Sequence, residues 1–255
     1  MKKLIKYVMI DILRNKIVLG YTLFLLAISL TVFNLEDNAS KGLLSLLNIV
    51  LIIVPLLSII FSTIYVYNSS EFIELLVSQP VKRTALLSSI YAGLTASLML
   101  AVAIGIGLPV LLYDNSGVGA ALVLAAVLLT AVFVALAILA SVITRDKAKG
   151  IGVSILLWFY FTVIFDGLIL FILFQFADYP LEKLSIGLTA LNPIDLSRIL
   201  VLLKMDISAM MGYTGAVFRE FFEGIYGYLF IGIVMIVWIS APVLFAIKKF
   251  NNKDL

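Results

Sequence analysis

The sequence is dominated by six long apolar stretches, in which a single residue, Asp166, carries a charge. A helix needs about 20 mostly apolar residues to cross a membrane. Hydrophobic residues make up 63% of the chain and charged residues 13%, whereas a soluble domain is about 45–50% apolar and about 25% charged. We therefore expect an all-α polytopic membrane protein with six transmembrane helices. The expected spans are 17–33, 42–67, 85–113, 118–144, 151–176 and 226–247.

The fourth stretch carries small residues at four-residue spacing, for example Ala121 with Ala125 and Ala131 with Ala135. Small side chains let two helices approach closely in lipid. The pattern predicts close contact with neighbouring helices, and a generic alanine-rich helix is the alternative.

The distribution of Lys and Arg predicts how the chain is oriented in the membrane. Of the 18 Lys and Arg residues, 13 fall in the segments 1–16, 68–84, 145–150 and 248–255, which share one side of the membrane. Positive charge in short loops marks the cytoplasmic side. We expect one membrane domain over 1–255 in a bacterial inner membrane, with both termini cytoplasmic and no cleaved signal. The other five are Lys41, Lys183, Arg198, Lys204 and Arg219.

The chain lacks cysteine and histidine, so disulfides and thiolate or imidazole metal sites are excluded. It also lacks the glycine-rich phosphate-binding motif that ends in Gly-Lys-Ser or Gly-Lys-Thr. We therefore expect no enzymatic activity, no catalytic residue and no cofactor or metal bound by this chain, and no nucleic-acid partner. Thioethers suit Cu(I), and the weak candidates for such a ligand set are Met205, Met210 and Met211.

Two segments on the predicted cytoplasmic side have helical periodicity. In 1–16, apolar residues at helical spacing alternate with Lys and Arg, which predicts an amphipathic helix in the inner membrane interface; a disordered basic leader is the alternative. In 68–84, we expect a short surface helix with Ser70 as its N-cap, which Pro80 ends. Such a helix could lie in a groove of a soluble partner, and an ordinary interfacial loop is the alternative.

The predicted extracytoplasmic segment, 178–224, contains one strong helix start, Asn192-Pro193. The helix that follows is amphipathic and carries Asp195 and Arg198, so we expect a re-entrant or interfacial helix. Asp166 lies inside the fifth span, where a charge is costly and should face protein or water. Two interpretations stay open for Asp166. It could serve a transport pathway or a conformational latch, or it could pair structurally with a Tyr, Ser or Thr, or be protonated.

The loop before the third span resembles the coupling loop of ABC exporter permeases of the second export class. The resemblance rests on Glu71, on Glu74-Leu75-Leu76 and on the stretch from Ser78 to Arg83, although Phe72-Ile73 stand where that family has a glycine. It implies a homodimer with two copies of a cytoplasmic ATPase that binds ATP and Mg²⁺. The implied ATPase-coupling residues are Glu71, Phe72, Glu74, Leu75, Leu76, Gln79, Pro80, Lys82 and Arg83.

The outer segment resembles permeases of nitrous-oxide-reductase maturation systems, at 191–198 and 212–218. This resemblance implies a periplasmic partner, copper-site maturation, and contact with that partner through Asn192, Pro193, Asp195 and Arg198. Permeases of gliding-motility systems are the competing subfamily. A secondary transporter, a channel or a membrane scaffold, none of which needs an ATPase, are the alternatives from other classes.

Overall fold

The computed structural model describes residues 2–36, 38–78, 82–114, 116–176, 182–205 and 225–252. Across these residues every regular element is a helix. Two π-helical turns, Ala103–Gly107 and Tyr160–Ile164, interrupt long helices, and a 3₁₀ turn follows at Leu203–Met205. The α-helices are α1 (Lys2–Leu13), α2 (Lys16–Leu35), α3 (Ala39–Asn68), α4 (Ser70–Val77), α5 (Arg83–Val102), α6 (Leu108–Tyr113), α7 (Val118–Ile143), α8 (Lys147–Phe159), α9 (Phe165–Gln175), α10 (Glu182–Ala190), α11 (Pro193–Leu202) and α12 (Ile225–Asn251).

Six helical stretches of the described chain are long and apolar enough to cross a membrane, which confirms the predicted number. Several begin at a cationic residue that lies outside the apolar run, because backbone hydrogen bonding continues past the last apolar side chain and long basic side chains reach back towards water. The first to sixth spans are Lys16–Leu35, Ala39–Asn68, Arg83–Tyr113, Val118–Ile143, Lys147–Ile172 and Gly227–Asn251.

The fourth span is the centre of the bundle. Of the 18 residues that form its most apolar part, 72% are buried, against 11% for the fifth span and 22% for the sixth. The small residues of this helix are the reason, since Ala125, Ala126 and Ala137 are fully buried and allow the neighbouring backbones to come close. The predicted close contact of this helix with its neighbours is therefore confirmed.

Local sequence explains where several spans begin. The side chains of Asn15, Asn38 and Asp146 each accept a hydrogen bond from a backbone N–H in the first turn of the helix that follows, as N-caps do. Pro55 lies inside the second span without ending it. Since Pro55 donates no backbone hydrogen bond, it weakens the helix at this point, where the Trp158 indole N–H donates to the Ile52 carbonyl at 3.1 Å.

Both described ends of the chain lie at the same end of the bundle, which we call the terminal end. There the Arg83 guanidinium donates to the Asn251 carbonyl at 3.3 Å, and Lys147 donates to the Asn68 side chain at 2.8 Å. The opposite end, called the far end, holds the stacked rings of Phe33 and Tyr113, whose centroids are 5.0 Å apart.

Helix α1 packs across the third span near the terminal end. Val8 and Ile12 are buried, and a Cβ added at Gly93 would lie 2.6 Å from Val8 Cγ1, so only glycine permits this crossing. The Ser97 hydroxyl donates to the Met9 carbonyl at 3.3 Å, and the Tyr65 hydroxyl donates to the Asp11 carboxylate at 3.1 Å. The helix is thus fixed to the bundle by apolar and polar contacts.

Candidate functional sites at the two ends of the bundle

Helix α4 presents one face to the protein and the other to the outside. Ile73 is buried at 8% exposure and Leu76 is half-buried. The opposite face of α4 is formed by Glu71, Glu74 and Leu75. All three side chains are exposed, and 65% of Leu75 is accessible. The helix begins at Ser70 rather than after it, because Ser69 takes the cap position without a side-chain hydrogen bond, so the predicted cap was wrong by one residue.

Phe72 joins α4 to α1. Its ring stacks on the ring of Tyr7 with centroids 5.5 Å apart, so the two helices of the terminal end form one continuous surface. Lys82 is exposed beyond α4, and Arg83 is partly exposed. The remaining predicted coupling residues, Gln79 and Pro80, lie outside the described residues.

A cleft of about 340 Å³ lies between α4 and the terminal ends of the second, fourth and sixth spans. Its wall contains one acid and one base, Glu74 and Arg145, among apolar side chains such as Ile73 and Phe250. The Glu74 side chain therefore borders both the outer face of α4 and the space behind the helix.

A polar junction fixes the end of the second span just before α4 begins. The Tyr67 hydroxyl donates to the Thr144 carbonyl at 3.2 Å and also pairs with the Thr144 hydroxyl. Gly150 is buried against the Tyr67 ring, where an added Cβ would meet Cε2 at 2.5 Å. The connection between the fourth and fifth spans is therefore held against the helix that leads into α4.

The second and fifth spans are linked by further polar contacts. The hydroxyls of Thr63 and Ser154 are 2.7 Å apart and buried. Together with Lys147–Asn68 near the terminal end and Trp158–Ile52 deeper in the bundle, this pair forms a ladder along the two helices. Sequence reasoning missed this ladder, because single hydroxyl and amide residues in apolar helices carry no spacing signal.

At the far end, an ion-pair cluster joins the fifth span to α11. Arg198 lies 3.3 Å from Oδ2 of Asp166 and donates to Oδ1 of Asp195 at 2.9 Å. Asp166 therefore pairs with an arginine, not with the Tyr, Ser or Thr that the structural interpretation expected. The cluster brings together Asp166, Asp195 and Arg198, which the sequence had placed in separate predicted sites.

Asn192 completes the cluster and ties it to the backbone of the fifth span. Its Oδ1 accepts from the Ile194 N–H at 3.0 Å, so it caps α11 as predicted. Its amide nitrogen donates to Asp195 Oδ2 and to the Phe161 carbonyl, both at 2.9 Å.

The π-helical turn explains why the Phe161 carbonyl is available to Asn192. In an α-helix this carbonyl would accept from the N–H of Phe165. In the turn Tyr160–Ile164, the Phe165 N–H donates instead to Tyr160, one residue further back. The Phe161 carbonyl does not accept from the Phe165 N–H and accepts from the Asn192 amide instead, so the irregular turn provides an acceptor for the outer segment.

Burial differs within the cluster. Asn192 is fully buried, Pro193 is also buried, and Asp195 is 7% exposed, whereas the side chains of Arg198 and Asp166 are 36% and 33% exposed. Burial raises the pKa of Asp195 to about 6, and the nearby Asp166 adds to this while Arg198 opposes it. Of the four residues predicted to contact an outer partner, Arg198 is thus the most accessible.

The methionine set is described only in part. Met205 is half-buried in the turn after α11, while Met210 and Met211 lie outside the described residues. Within the described parts of the chain, no group of three or more acidic side chains is arranged to hold a metal ion.

The comparisons with known proteins agree with a membrane transport subunit. No family model matches the chain. The chain is similar to a protein of Pseudomonas aeruginosa described as probable ABC transporter permease protein NosY. The two are 30% identical over 223 residues, which cover 79% of this chain and 81% of the relative.

Proposed function

The chain belongs to the permease subunits of ABC transporters, and we propose that it couples a separate cytoplasmic ATPase to work at the outer face of the membrane. It is a multi-pass membrane protein. The proposal places it in a bacterial inner membrane as a homodimer with both termini in the cytoplasm, so that the terminal end faces the ATPase. ATP and Mg²⁺ would be bound by the ATPase.

The observation that carries the proposal is the outer face of α4. Glu71, Glu74 and Leu75 form an exposed strip of two acids and one apolar side chain, which fits a helix lying in a groove of a partner protein. On the other side of the helix, Phe72 and Leu76 hold α4 to the bundle. In the proposed complex, Lys82 and Arg83, which follow Gln79 and Pro80 in the sequence, would lie at the edge of the contact with the ATPase.

The polar contacts supply a route for motion from this surface to the far end. Movement of α4 would act on the end of the second span, which Tyr67 attaches to Thr144 at the end of the fourth span and the Thr63–Ser154 pair attaches to the fifth span. The fifth span carries Asp166, which pairs with Arg198 of α11. Packed helices tend to move as rigid bodies, so an ATP-driven shift at the terminal end would be delivered to the outer segment.

The work done at the outer face is proposed from the relative and from the motif at 191–198. The relative is described as NosY, and the motif resembles permeases of nitrous-oxide-reductase maturation systems. We therefore assign this chain to copper-site maturation of nitrous-oxide reductase, with a periplasmic partner protein that contacts the region of Asn192, Pro193, Asp195 and Arg198.

The test measures ATP hydrolysis and reductase maturation after the permease has been reconstituted with its partner ABC ATPase. Leu75→Asp changes the exposed strip alone, whereas Glu74→Lys changes both the strip and the wall of the cleft, and both variants keep the buried Ile73. We expect both variants to fold and to lose at least tenfold of the coupling between ATP hydrolysis and reductase maturation. Lys248→Glu, a charge reversal at the same end but on the sixth span, is the matched control and should keep coupling. Full coupling in both α4 variants would refute the proposal.

A further inference from the structure

The cleft behind α4 lies at the level where the spans meet the membrane surface. Arg145 in its wall follows Ile143, the last residue of the fourth span, by two positions, and Phe250 lies in the last turn of the sixth span. The volume of the cleft, about 340 Å³, is at the small end of the range of ligand pockets, which is about 300–1,000 Å³. The cleft therefore has the size and the position of a site for the headgroup of a membrane lipid.

The wall of the cleft carries one charge of each sign. Glu74 and Arg145 are both exposed. Among the residues that the structure describes, neither side chain pairs with the other or with another polar group. A guanidinium binds phosphate oxygens in a planar two-point contact, and a carboxylate binds an ammonium group. A ligand that carries both a phosphate and an ammonium group would therefore be complementary to both side chains at once.

An apolar groove lies along two of the same spans, closer to the middle of the membrane. It has a volume of about 420 Å³ and is formed by aliphatic and aromatic side chains of the fourth and sixth spans. Leu139 in the groove is three positions from Val142 in the cleft wall, and Phe245 in the groove is five positions from Phe250. These separations are about 4.5 Å and about 7.5 Å along a helix. A charged cleft with an apolar groove just beyond it matches the headgroup and an acyl chain of one lipid.

We infer that the cleft and the groove together bind one phospholipid with an ethanolamine headgroup. Its phosphate lies against Arg145, its ammonium group lies against Glu74, and an acyl chain lies in the groove between the fourth and sixth spans. The inference requires that the terminal end lies at a membrane surface, and it does not require the ATPase of the proposed function. Bound there, the lipid fills the space behind α4 and joins this helix to the ends of the second, fourth and sixth spans.

The acid in the wall favours this headgroup over an anionic one. A phosphatidylglycerol headgroup also offers a phosphate to Arg145, but it carries no cation and places a second negative charge beside Glu74. Basic pockets between membrane helices on the cytoplasmic side bind anionic headgroups, whereas the wall of this cleft has one base and one acid. The charges of the wall therefore predict selectivity for a zwitterionic lipid.

Native mass spectrometry of the purified full-length chain measures this selectivity. Phosphatidylethanolamine and phosphatidylglycerol with the same acyl chains are added separately in detergent, and the bound lipids are counted per chain. We expect phosphatidylethanolamine to bind more tightly, with one site per chain that fills first. In Arg145→Gln, the affinity for this lipid should fall about tenfold, because a hydrogen bond between charged groups is lost.

Three further variants show whether the charges act as inferred. Lys149→Gln removes an exposed cation that belongs to the same connection and does not line the cleft, so both affinities should stay unchanged. Arg145→Lys keeps a cation and should restore most of the affinity. Glu74→Gln should weaken the binding of phosphatidylethanolamine and not that of phosphatidylglycerol. The inference would be overturned by an affinity for phosphatidylglycerol that equals or exceeds that for phosphatidylethanolamine, or by an unchanged affinity in Arg145→Gln.

A photoreactive phosphatidylethanolamine locates the site. With its reactive group near the glycerol, it should label peptides that contain Ile73, Leu87 or Phe250, which line the cleft from three helices. Ile17 and Leu156 are exposed on the first and fifth spans and report lipid that only surrounds the bundle. Label at these two positions without label at the cleft would overturn the site.

The outcomes separate this inference from the proposed function, because lipid binding is measured without an ATPase and coupling is measured with one. Selective binding that needs both Arg145 and Glu74, in a permease that does not couple to the ATPase, would support the lipid site and refute the coupling. Coupling that depends on the exposed strip of α4, in a permease that does not select phosphatidylethanolamine, would refute the lipid site and leave the coupling proposal standing.

Discussion

Charged side chains are used in opposite ways at the two ends of this molecule. At the terminal end, Glu71 and Glu74 stand exposed on α4. At the far end, Arg198 is held between Asp166 and Asp195, and the latter is almost fully buried. Exposed charges contribute little to stability, so the acids of α4 are free to serve a partner. Buried charges that lose their partner are costly, so the far-end cluster is a structural joint as well as a candidate functional site.

The largest expected effect on stability comes from replacing Arg198, the cation of the far-end cluster. Arg198→Met keeps most of the side-chain volume but leaves the buried Asp195 carboxylate without a cation, and the neutral Asn192 amide still donates a hydrogen bond to it. Breaking a buried pair costs about 3–5 kcal/mol, and the partial exposure of Arg198 places the expected loss near the lower end of that range. Thermal unfolding in detergent measures it.

Two further variants make this measurement decisive. Lys82→Met removes an exposed cation at the terminal end and should leave the unfolding midpoint unchanged. Adding Asp166→Asn and Asp195→Asn to Arg198→Met removes the uncompensated charges and should recover most of the lost stability. If Arg198→Met unfolds at the same temperature as the unaltered chain, the cluster is not a structural joint.

The terminal end has a structural joint of its own, built from neutral groups. In Gly150→Ala, the new methyl group would lie 2.5 Å from Cε2 of Tyr67, which the bonds to Thr144 hold in place. Overpacking of this kind costs about 1–3 kcal/mol, partly offset by the better helix propensity of alanine. We expect a net loss of about 1–2 kcal/mol in the free energy of unfolding.

The matched control is Gly152→Ala, two residues further along the same helix. An added Cβ there meets no atom within 4 Å, so stability should stay the same or rise slightly. In the Tyr67→Ala background, Gly150→Ala should cost nothing further, because residues in contact are not additive. An equal loss with and without the Tyr67 ring would show that the junction is not the cause.

The sequence predicted the spans better than the sites, and the reason is physical. Lipid selects continuous apolar runs, so the number of spans and the close packing of the alanine-rich helix can be inferred from composition along the chain. The cap at Asn192 with Pro193 after it was also predictable, because both residues act on the next few backbone groups.

Contacts between distant residues were not predictable in this way. Asp166 and Arg198 are 32 positions apart, and their pairing depends on the path of the connection between them. The π-helical turn at Tyr160–Ile164 has no local sequence signal either, since it is stabilised by a side chain from α11. On α4, Ile73 is buried while Leu75 is exposed, because so short a helix leaves the choice of packed face to the surrounding protein.

The last expected difference between the two ends is a dependence of stability on pH. The folded-state pKa of Asp195, about 6, lies above its ordinary value of 3.8, so the folded protein binds this proton more tightly than the unfolded chain. Its contribution to stability is fully present below about pH 4 and is lost as pH rises through 6. The expected change between pH 7 and pH 4 is on the order of 2 kcal/mol. Asp195→Asn should flatten this part of the unfolding profile, whereas Glu74→Gln on exposed α4 should leave it as it is. An identical pH profile for Asp195→Asn and the unaltered chain would mean that this carboxyl does not titrate in that window, and the far-end charges would then differ from those of α4 in burial alone.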